Sequence, residues 1–135
     1  MEAINNQNKA LLDKLILLTK ESKLKWIREN PSTLYFELKN ENSPKFIASI
    51  MNLSTSSESY NISNGKIVNN SSKSYFIFSI KRENETKEMT YINTLEDPEF
   101  EILLNNLYEA AENYLGKNQI DFIDNFLEDL SNSTD

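Results

Sequence analysis

Residues 74–82 read Ser-Tyr-Phe-Ile-Phe-Ser-Ile-Lys-Arg, and this stretch decides the fold class. Aromatic and β-branched residues are typical of extended strands. Phe76, Phe78 and Ile80 occupy every second position, so they share one face, while Tyr75 lies on the other. We therefore expect a strand that buries its phenylalanine face in a core.

Further strands are predicted on both sides of this one. Thr33–Leu38 alternates in the same way, and residues 46–53 and 89–93 have the composition of strands. Residues 54–73 are rich in Ser and Asn, and Asn64-Gly65 favours a tight turn, so a short hairpin and a mobile loop are the alternatives there. Consecutive strands with short connections favour an antiparallel meander of about four to six strands.

Apolar residues at helical spacing occur near both ends of the chain. Residues 4–22 predict an N-terminal helix, and Pro98 suits the first position of a second helix. Gly116 is placed to end that helix in the left-handed conformation, and a last helix is expected from about Gln119 to Leu130. The predicted fold is α+β, with the meander covered on one face by the N-terminal helix and two C-terminal helices.

The whole pattern fits a single domain. We assign residues 4–130 to it and residues 131–135 to a frayed C-terminal tail. Trp26, the only tryptophan, lies between Leu24 and Ile27, so we expect it in the core and not in a nucleic-acid site.

Both ends of the chain carry a recognisable pattern. Residues 11–26 read Leu-Leu-Asp-Lys-Leu-Ile-Leu-Leu-Thr-Lys-Glu-Ser-Lys-Leu-Lys-Trp, and residues 107–111 read Leu-Tyr-Glu-Ala-Ala before an acidic helix. The combination resembles a class of small uncharacterised bacterial α+β proteins with a Leu-rich first helix, a β-meander and an acidic closing helix. Ser22 stands where that pattern usually has glycine. The resemblance implies a fold and a bacterial origin, and carries no catalytic motif.

The chain lacks the residue types on which most catalytic sites depend. Its 135 residues include no cysteine, no histidine and only two glycines. Imidazole catalysis, thiolate chemistry, disulfides and glycine-rich phosphate loops are therefore excluded. Asp121, Asp124 and Glu128 share a helix face, but carboxylates opposite an apolar stripe are usually a solvated face. We predict a protein that is not an enzyme, with no catalytic residue, no cofactor and no metal.

Charge is distributed unevenly along the chain. Residues 1–95 contain 13 Lys/Arg and 10 Asp/Glu, whereas residues 96–135 contain 1 and 11. An acidic segment repels nucleic acid and favours a partner protein with a basic surface. The candidate protein-binding residues are carboxylates of the closing helices and tyrosines of the strands: Asp121, Asp124, Glu128, Asp129, Glu109, Glu112, Tyr35, Tyr75 and Tyr91.

The functional expectation follows from these absences and this charge. We expect a cytoplasmic, non-catalytic acidic protein-binding module of bacterial or mobile-element origin, such as an inhibitor, an immunity or anti-defence factor, or an adaptor. Its partner is another protein, a homodimer is an alternative, and no membrane contact is expected. Two other functions stay open: a protein that sequesters or senses a small ligand or nucleotide, and a dimer similar to secretion chaperones.

Overall fold

A computed structural model of the protein describes residues 2–39, 41–42, 44–61 and 66–133, without the side chains of residues 2, 55–61 and 66–72. The elements, in chain order, are α1 (Glu2–Lys20), β1 (Ile27–Asn30), β2 (Thr33–Leu38), β3 (Phe46–Asn61), β4 (Lys66–Arg82), β5 (Thr90–Asn93), a 3₁₀ turn (Pro98–Phe100) and α2 (Glu101–Ser133). The strands form one antiparallel sheet in the order β1-β2-β3-β4-β5. The α+β class and the antiparallel meander are confirmed.

The alternation in residues 74–82 separates a core face of the sheet from an outer face. Phe76 and Phe78 are buried on the core face, and Phe78 has no exposed surface at all. Pairing of Ala48 with Ile80 and of Ile50 with Phe78 continues that face across the sheet. Because side chains alternate strictly along paired strands, one buried position fixes the face of its neighbours.

Strands β3 and β4 form a long hairpin that extends beyond the rest of the sheet. Strand β2 pairs with β3 only as far as Met51, and β5 pairs with β4 only between Ile77 and Ile80. The β3–β4 ladder itself continues to the pair Asn61–Lys66. Residues 54–61 and 66–73 therefore belong to this hairpin, and Asn64-Gly65 lies outside the described residues.

Helices α1 and α2 cover the core face of the sheet and run parallel to each other. Near the N-terminus of α1, Asn5 Nδ2 donates to Glu99 Oε1 at 2.8 Å and Lys9 Nζ lies 3.4 Å from Glu99 Oε2, and Glu99 belongs to the 3₁₀ turn that precedes α2. At the other end of α1, Thr19 and Tyr114 line the same cleft. The buried stripe of α2 comprises Leu104, Leu107, Ala110 and Ala111.

The prediction of two C-terminal helices is wrong, because α2 is one continuous helix through Gly116. Gly116 does not adopt a left-handed conformation, and an added Cβ atom there would meet nothing within 4 Å. A glycine inside a helix costs only about 1 kcal/mol relative to alanine, which the flanking turns can tolerate. Helical periodicity on both sides of Gly116 outweighed its tendency to end the helix.

Trp26 joins the end of α1 to the beginning of the sheet. It is 3% exposed, which confirms its predicted place in the core. Its ring lies edge-on to Phe36 with the centroids 4.8 Å apart. Its Nε1 donates to the Thr19 hydroxyl at 3.0 Å, and that hydroxyl donates to the Leu15 carbonyl at 2.7 Å. The indole N–H is thereby satisfied although it is buried.

Ser22 ends α1 in a left-handed conformation with φ of 60°. The N–H of Ser22 donates to the Thr19 carbonyl at 3.0 Å, and the N–H of Lys23 donates to the Leu18 carbonyl at 2.9 Å. These two bonds define a Schellman motif, in which glycine is the usual residue at the left-handed position. A serine there carries a steric cost that glycine avoids.

We expect Thr19→Val to destabilise the fold by about 1–3 kcal/mol, because the buried Trp26 N–H loses its acceptor. Urea unfolding followed by far-UV circular dichroism measures the change. In a Trp26→Phe background the same substitution should cost less, with a coupling energy of at least about 0.5 kcal/mol. Equal costs in the two backgrounds would refute a role for the hydrogen bond.

We expect Ser22→Gly to stabilise the protein by about 0.5–1 kcal/mol, because it relieves the left-handed strain at this position. The same urea experiment measures it. Glu21→Gly is the matched control: it lies one residue earlier, where φ is not positive, so glycine there should destabilise. Destabilisation by Ser22→Gly would show that the serine side chain matters more than its backbone strain.

Candidate functional site

The last part of α2 forms an exposed amphipathic helix, which we call the α2 extension (Lys117–Ser133). Every side chain in it is exposed. Its six large apolar side chains are between 46% and 70% exposed: Ile120, Phe122, Ile123, Phe126, Leu127 and Leu130. Single exposed apolar residues are ordinary, but a continuous stripe of them usually marks an interaction surface.

The extension is exposed because α1 is much shorter than α2. Helix α1 ends at Lys20, and the last α2 residues that pack against the core are Tyr114 and Leu115. From Lys117 onward, α2 projects by 17 residues, which at 1.5 Å per residue is about 25 Å. An isolated helix of this length is marginally stable in water, so an apolar stripe on it favours docking.

The apolar stripe has the spacing of a helix that packs against another surface. Ile120, Ile123, Leu127 and Leu130 follow each other by three, four and three positions. Residues so spaced lie on one side of a helix. Phe126 widens this stripe, because it is three positions after Ile123 and four before Leu130.

Four of the predicted carboxylates lie on the extension, three of them beside this stripe. Asp124, Glu128 and Asp121 follow one edge, and Asp129 lies across the polar side, near Phe122. All four are exposed. The extension therefore combines apolar and acidic character in one helix, with a net charge of −3 from its one lysine and four acids.

The other two predicted carboxylates lie on the packed part of α2. Glu109 accepts from Asn105 Nδ2 at 3.4 Å and lines a cleft between the helices. Glu112 binds the Arg28 guanidinium of β1, and Arg28 Nη1 also donates to the Pro31 carbonyl at 3.1 Å. Glu112 thus ties the edge of the sheet to α2, a role that sequence reasoning missed.

The ion pair Arg28–Glu112 also involves Tyr108. The hydrogen bond that the Arg28 guanidinium donates to Glu112 raises the pKa of Arg28 above its ordinary value, so the guanidinium stays charged. Burial raises the pKa of the Tyr108 phenol, and the neighbouring Glu112 raises it further. Both groups therefore keep one protonation state across the physiological pH range, as expected for a structural cluster.

The three predicted tyrosines lie together on the outer face of the sheet, opposite the helices. Tyr35 and Tyr91 lie in one cross-strand row with Ser49 and Ser79 between them, and the two serine Oγ atoms are 3.1 Å apart. Tyr75 lies two rows further along β4. We call this surface the outer sheet face; its apolar members are Ile27, Tyr35, Ile47, Met51, Leu53, Tyr75, Ile77 and Tyr91.

A groove open to solvent lies between α1 and one end of the sheet. It encloses about 290 Å³ and is lined only by apolar residues: Leu11, Leu15, Leu18, Leu24, Phe36, Leu38, Phe46, Ala48 and Ile80. We call it the apolar groove. Leu38 at its edge is 49% exposed. Sequence analysis did not anticipate it, because each of these residues has the pattern of an ordinary core position.

A second, polar cleft of about 380 Å³ lies between the end of α1 and α2. Hydrogen-bonding side chains line it from both helices, among them Lys20, Asn106, Asn113, Tyr114 and Lys117. The residues that line this cleft come from α2 and from the end of α1, and none comes from the sheet.

Within the described residues, no three Asp or Glu side chains converge in a way that could hold a metal ion. No helix in the same part of the chain combines the length and the apolar character needed to cross a lipid bilayer.

No protein-family model, curated protein or solved structure matches the chain.

Proposed function

We propose that this protein is a non-catalytic protein-binding module and that the α2 extension is its docking helix. The proposal rests on the six large apolar side chains of the extension, five of them in one stripe, which remain exposed although the rest of the chain buries a core. Burying such side chains gains roughly 1.5–3 kcal/mol each, so a partner surface has a strong driving force available.

The charge of the extension indicates the chemistry of its partner. Asp121, Asp124 and Glu128 form an acidic border along one edge of the stripe, and nothing positive within the extension offsets them except Lys117. A complementary surface has an apolar centre and a basic rim, because opposite charges at the rim speed encounter and disfavour wrong partners. An inhibitor, an immunity factor or an adaptor would all use such a surface.

The absence of histidine and cysteine supports the non-catalytic part of the proposal. The outer sheet face is a second surface available to a partner, because tyrosine contributes both ring contacts and a hydroxyl at interfaces. The docking helix and the outer sheet face point away from the same core, so one protein could bridge two others.

The docking helix can be tested with a synthetic helical peptide that has leucine on one face and lysine on the other. We expect it to bind the full chain in fluorescence anisotropy, and a composition-matched peptide without helical periodicity to bind at least about tenfold more weakly. The variant Ile123→Ser/Leu127→Ser should lose this difference, because it removes the centre of the stripe.

The matched control is Asn118→Ser/Asn125→Ser, which changes the polar side of the same helix and should bind as the wild type does. Binding should weaken from about 0.1 M to 1 M salt, because the Debye length falls from about 10 Å to 3 Å. Equal binding of both peptides by all three proteins would refute the docking helix.

A small-ligand function is the second candidate, favoured by the polar cleft. The lysine, asparagine and tyrosine side chains that line it, together with the carboxylate of Glu109, could bind a small polar ligand that carries both donors and acceptors. A volume of about 380 Å³ is within the range of small-molecule sites, which begin near 300 Å³.

The test is a thermal-shift screen of the wild type against a panel of mononucleotides and carboxylic acids. We expect at least one compound that binds the cleft to raise the unfolding temperature. A ligand at a hundred times its Kd stabilises the folded state by about 2.7 kcal/mol. Asn113→Leu, which fills one exposed wall of the cleft, should abolish the shift. An identical shift in the variant would place the ligand elsewhere, and no shift with any compound would refute this candidate.

A further inference from the structure

We propose that the apolar groove of a second copy of this chain receives the α2 extension, so that two copies exchange their extensions around a two-fold axis. This inference rests on the proposed role of the extension as a docking helix and names its partner. Apart from the outer sheet face, the described residues form two further apolar surfaces: the exposed stripe of the α2 extension and the partly buried apolar groove. They differ in shape and in the charge of the residues around them.

The apolar groove is a suitable acceptor for side chains that project from a helix. Its walls come from α1, β2, β3, β4 and Leu24 in the α1–β1 connection, and they contain no polar side chain. Its volume of about 290 Å³ is at the lower limit for small-molecule sites, about 300 Å³, and suits a few large side chains. Ile4, Leu11 and Leu18 follow each other at intervals of seven residues, or two turns, on the same side of α1. Ile4 is exposed, so the apolar surface extends along α1 beyond the groove.

The surroundings of the groove are basic where the extension is acidic. Exposed lysines neighbour the wall residues along the chain: Lys14 precedes Leu15, Lys25 follows Leu24 and Lys39 follows Leu38. The Arg82 guanidinium lies 5.7 Å from the ring centroid of Phe46, another wall residue. Its Nη1 donates to Glu85 Oε1 at 3.4 Å, and its buried Nε has no hydrogen-bond partner in the described part of the chain.

The carboxylates of the extension complement these cations. Asp121, Asp124 and Glu128 follow one edge of the stripe that would enter the groove. Residues 1–95, which build the groove, carry a balance of +3, whereas residues 96–135 carry −10. Charge complementarity therefore favours the groove over a second extension, which would bring two acidic helices together.

The extension of the same chain cannot fill this groove. Helix α2 runs parallel to α1 and continues past its end, and it remains helical through Ser133 without a break that would reverse its direction. Thr19 faces α2, whereas Leu18, about 100° around the helix, faces the groove. A second copy supplies the extension that the first cannot, and two-fold symmetry satisfies both grooves at once.

Sedimentation velocity of the full chain over a concentration series tests the proposal, and we expect a monomer–dimer equilibrium that weakens at high salt. Leu38→Glu places a carboxylate at the mouth of the groove and should raise the dimer Kd at least about tenfold. Leu17→Glu is the matched control, because Leu17 is 49% exposed, as Leu38 is, but lies outside the groove. It should leave the Kd unchanged. Circular dichroism and Trp26 fluorescence check that each variant is folded.

Mixing two variants gives the decisive readout. Leu38→Glu retains a working extension, and Ile123→Ser/Leu127→Ser retains a working groove. At a concentration where each is monomeric alone, the mixture should form a heterodimer through one intact contact. A monomeric mixture at every concentration accessible to the wild-type dimer would overturn the exchange.

Other outcomes separate this inference from the proposed function. If Leu38→Glu dimerises like the wild type while Ile123→Ser/Leu127→Ser does not, the extensions pair with each other and the groove assignment is wrong. If the wild type is monomeric throughout, the inference is wrong, and peptide binding alone decides whether the extension docks elsewhere. If neither dimerisation nor peptide binding depends on Ile123 and Leu127, both proposals fail.

Discussion

The hydrogen bond between the Trp26 indole and the Thr19 hydroxyl fixes where the first helix ends and where the sheet begins. Both groups are buried, so neither can exchange the other for water without leaving a polar atom unsatisfied. Together with buried Leu12 and Leu15 it holds α1 on the core, and Ser22 then turns the chain away from the helix axis. Beyond Leu115, α2 therefore no longer packs against α1 or the core, and its side chains are exposed to solvent. The exposed extension is thus a result of how the opposite end of the chain is packed.

The parts of the fold that depend on local pattern could be predicted from the sequence. Alternation around Phe78 was enough to place a strand and its buried face, because the two faces of this sheet differ in polarity. The helix end predicted at Gly116 is absent for a physical reason: glycine permits a left-handed helix end but does not require one. The apolar spacing that resumes at Ile120 fits a second helix as well as a continuation of the first.

The candidate site could be predicted only in part. The acidic and apolar sides of the extension are visible in the sequence, but the same stripe is typical of a helix packed on its own core, as the prediction of two packed helices assumed. Whether the stripe is packed or exposed depends on how far α1 extends alongside α2, which is known only from the tertiary structure. The apolar groove is still harder to predict from the sequence, because Leu11, Leu38 and Ile80 come together only once the strands have paired. Similarly, the ion pair between Glu112 and Arg28 could not be predicted, because the two residues are 84 positions apart in the sequence.

The parallel arrangement of α1 and α2 has an electrostatic consequence of its own. Peptide dipoles add along each helix, so two parallel helices bring their positive poles together, which is unfavourable. Glu99, bound by Asn5 and Lys9, lies at that shared pole and offsets it. At the opposite pole of α1, the partial negative charge of its last carbonyls is met by Lys20, with Lys117 across the cleft. These two cations compensate a helix pair whose dipoles would otherwise repel.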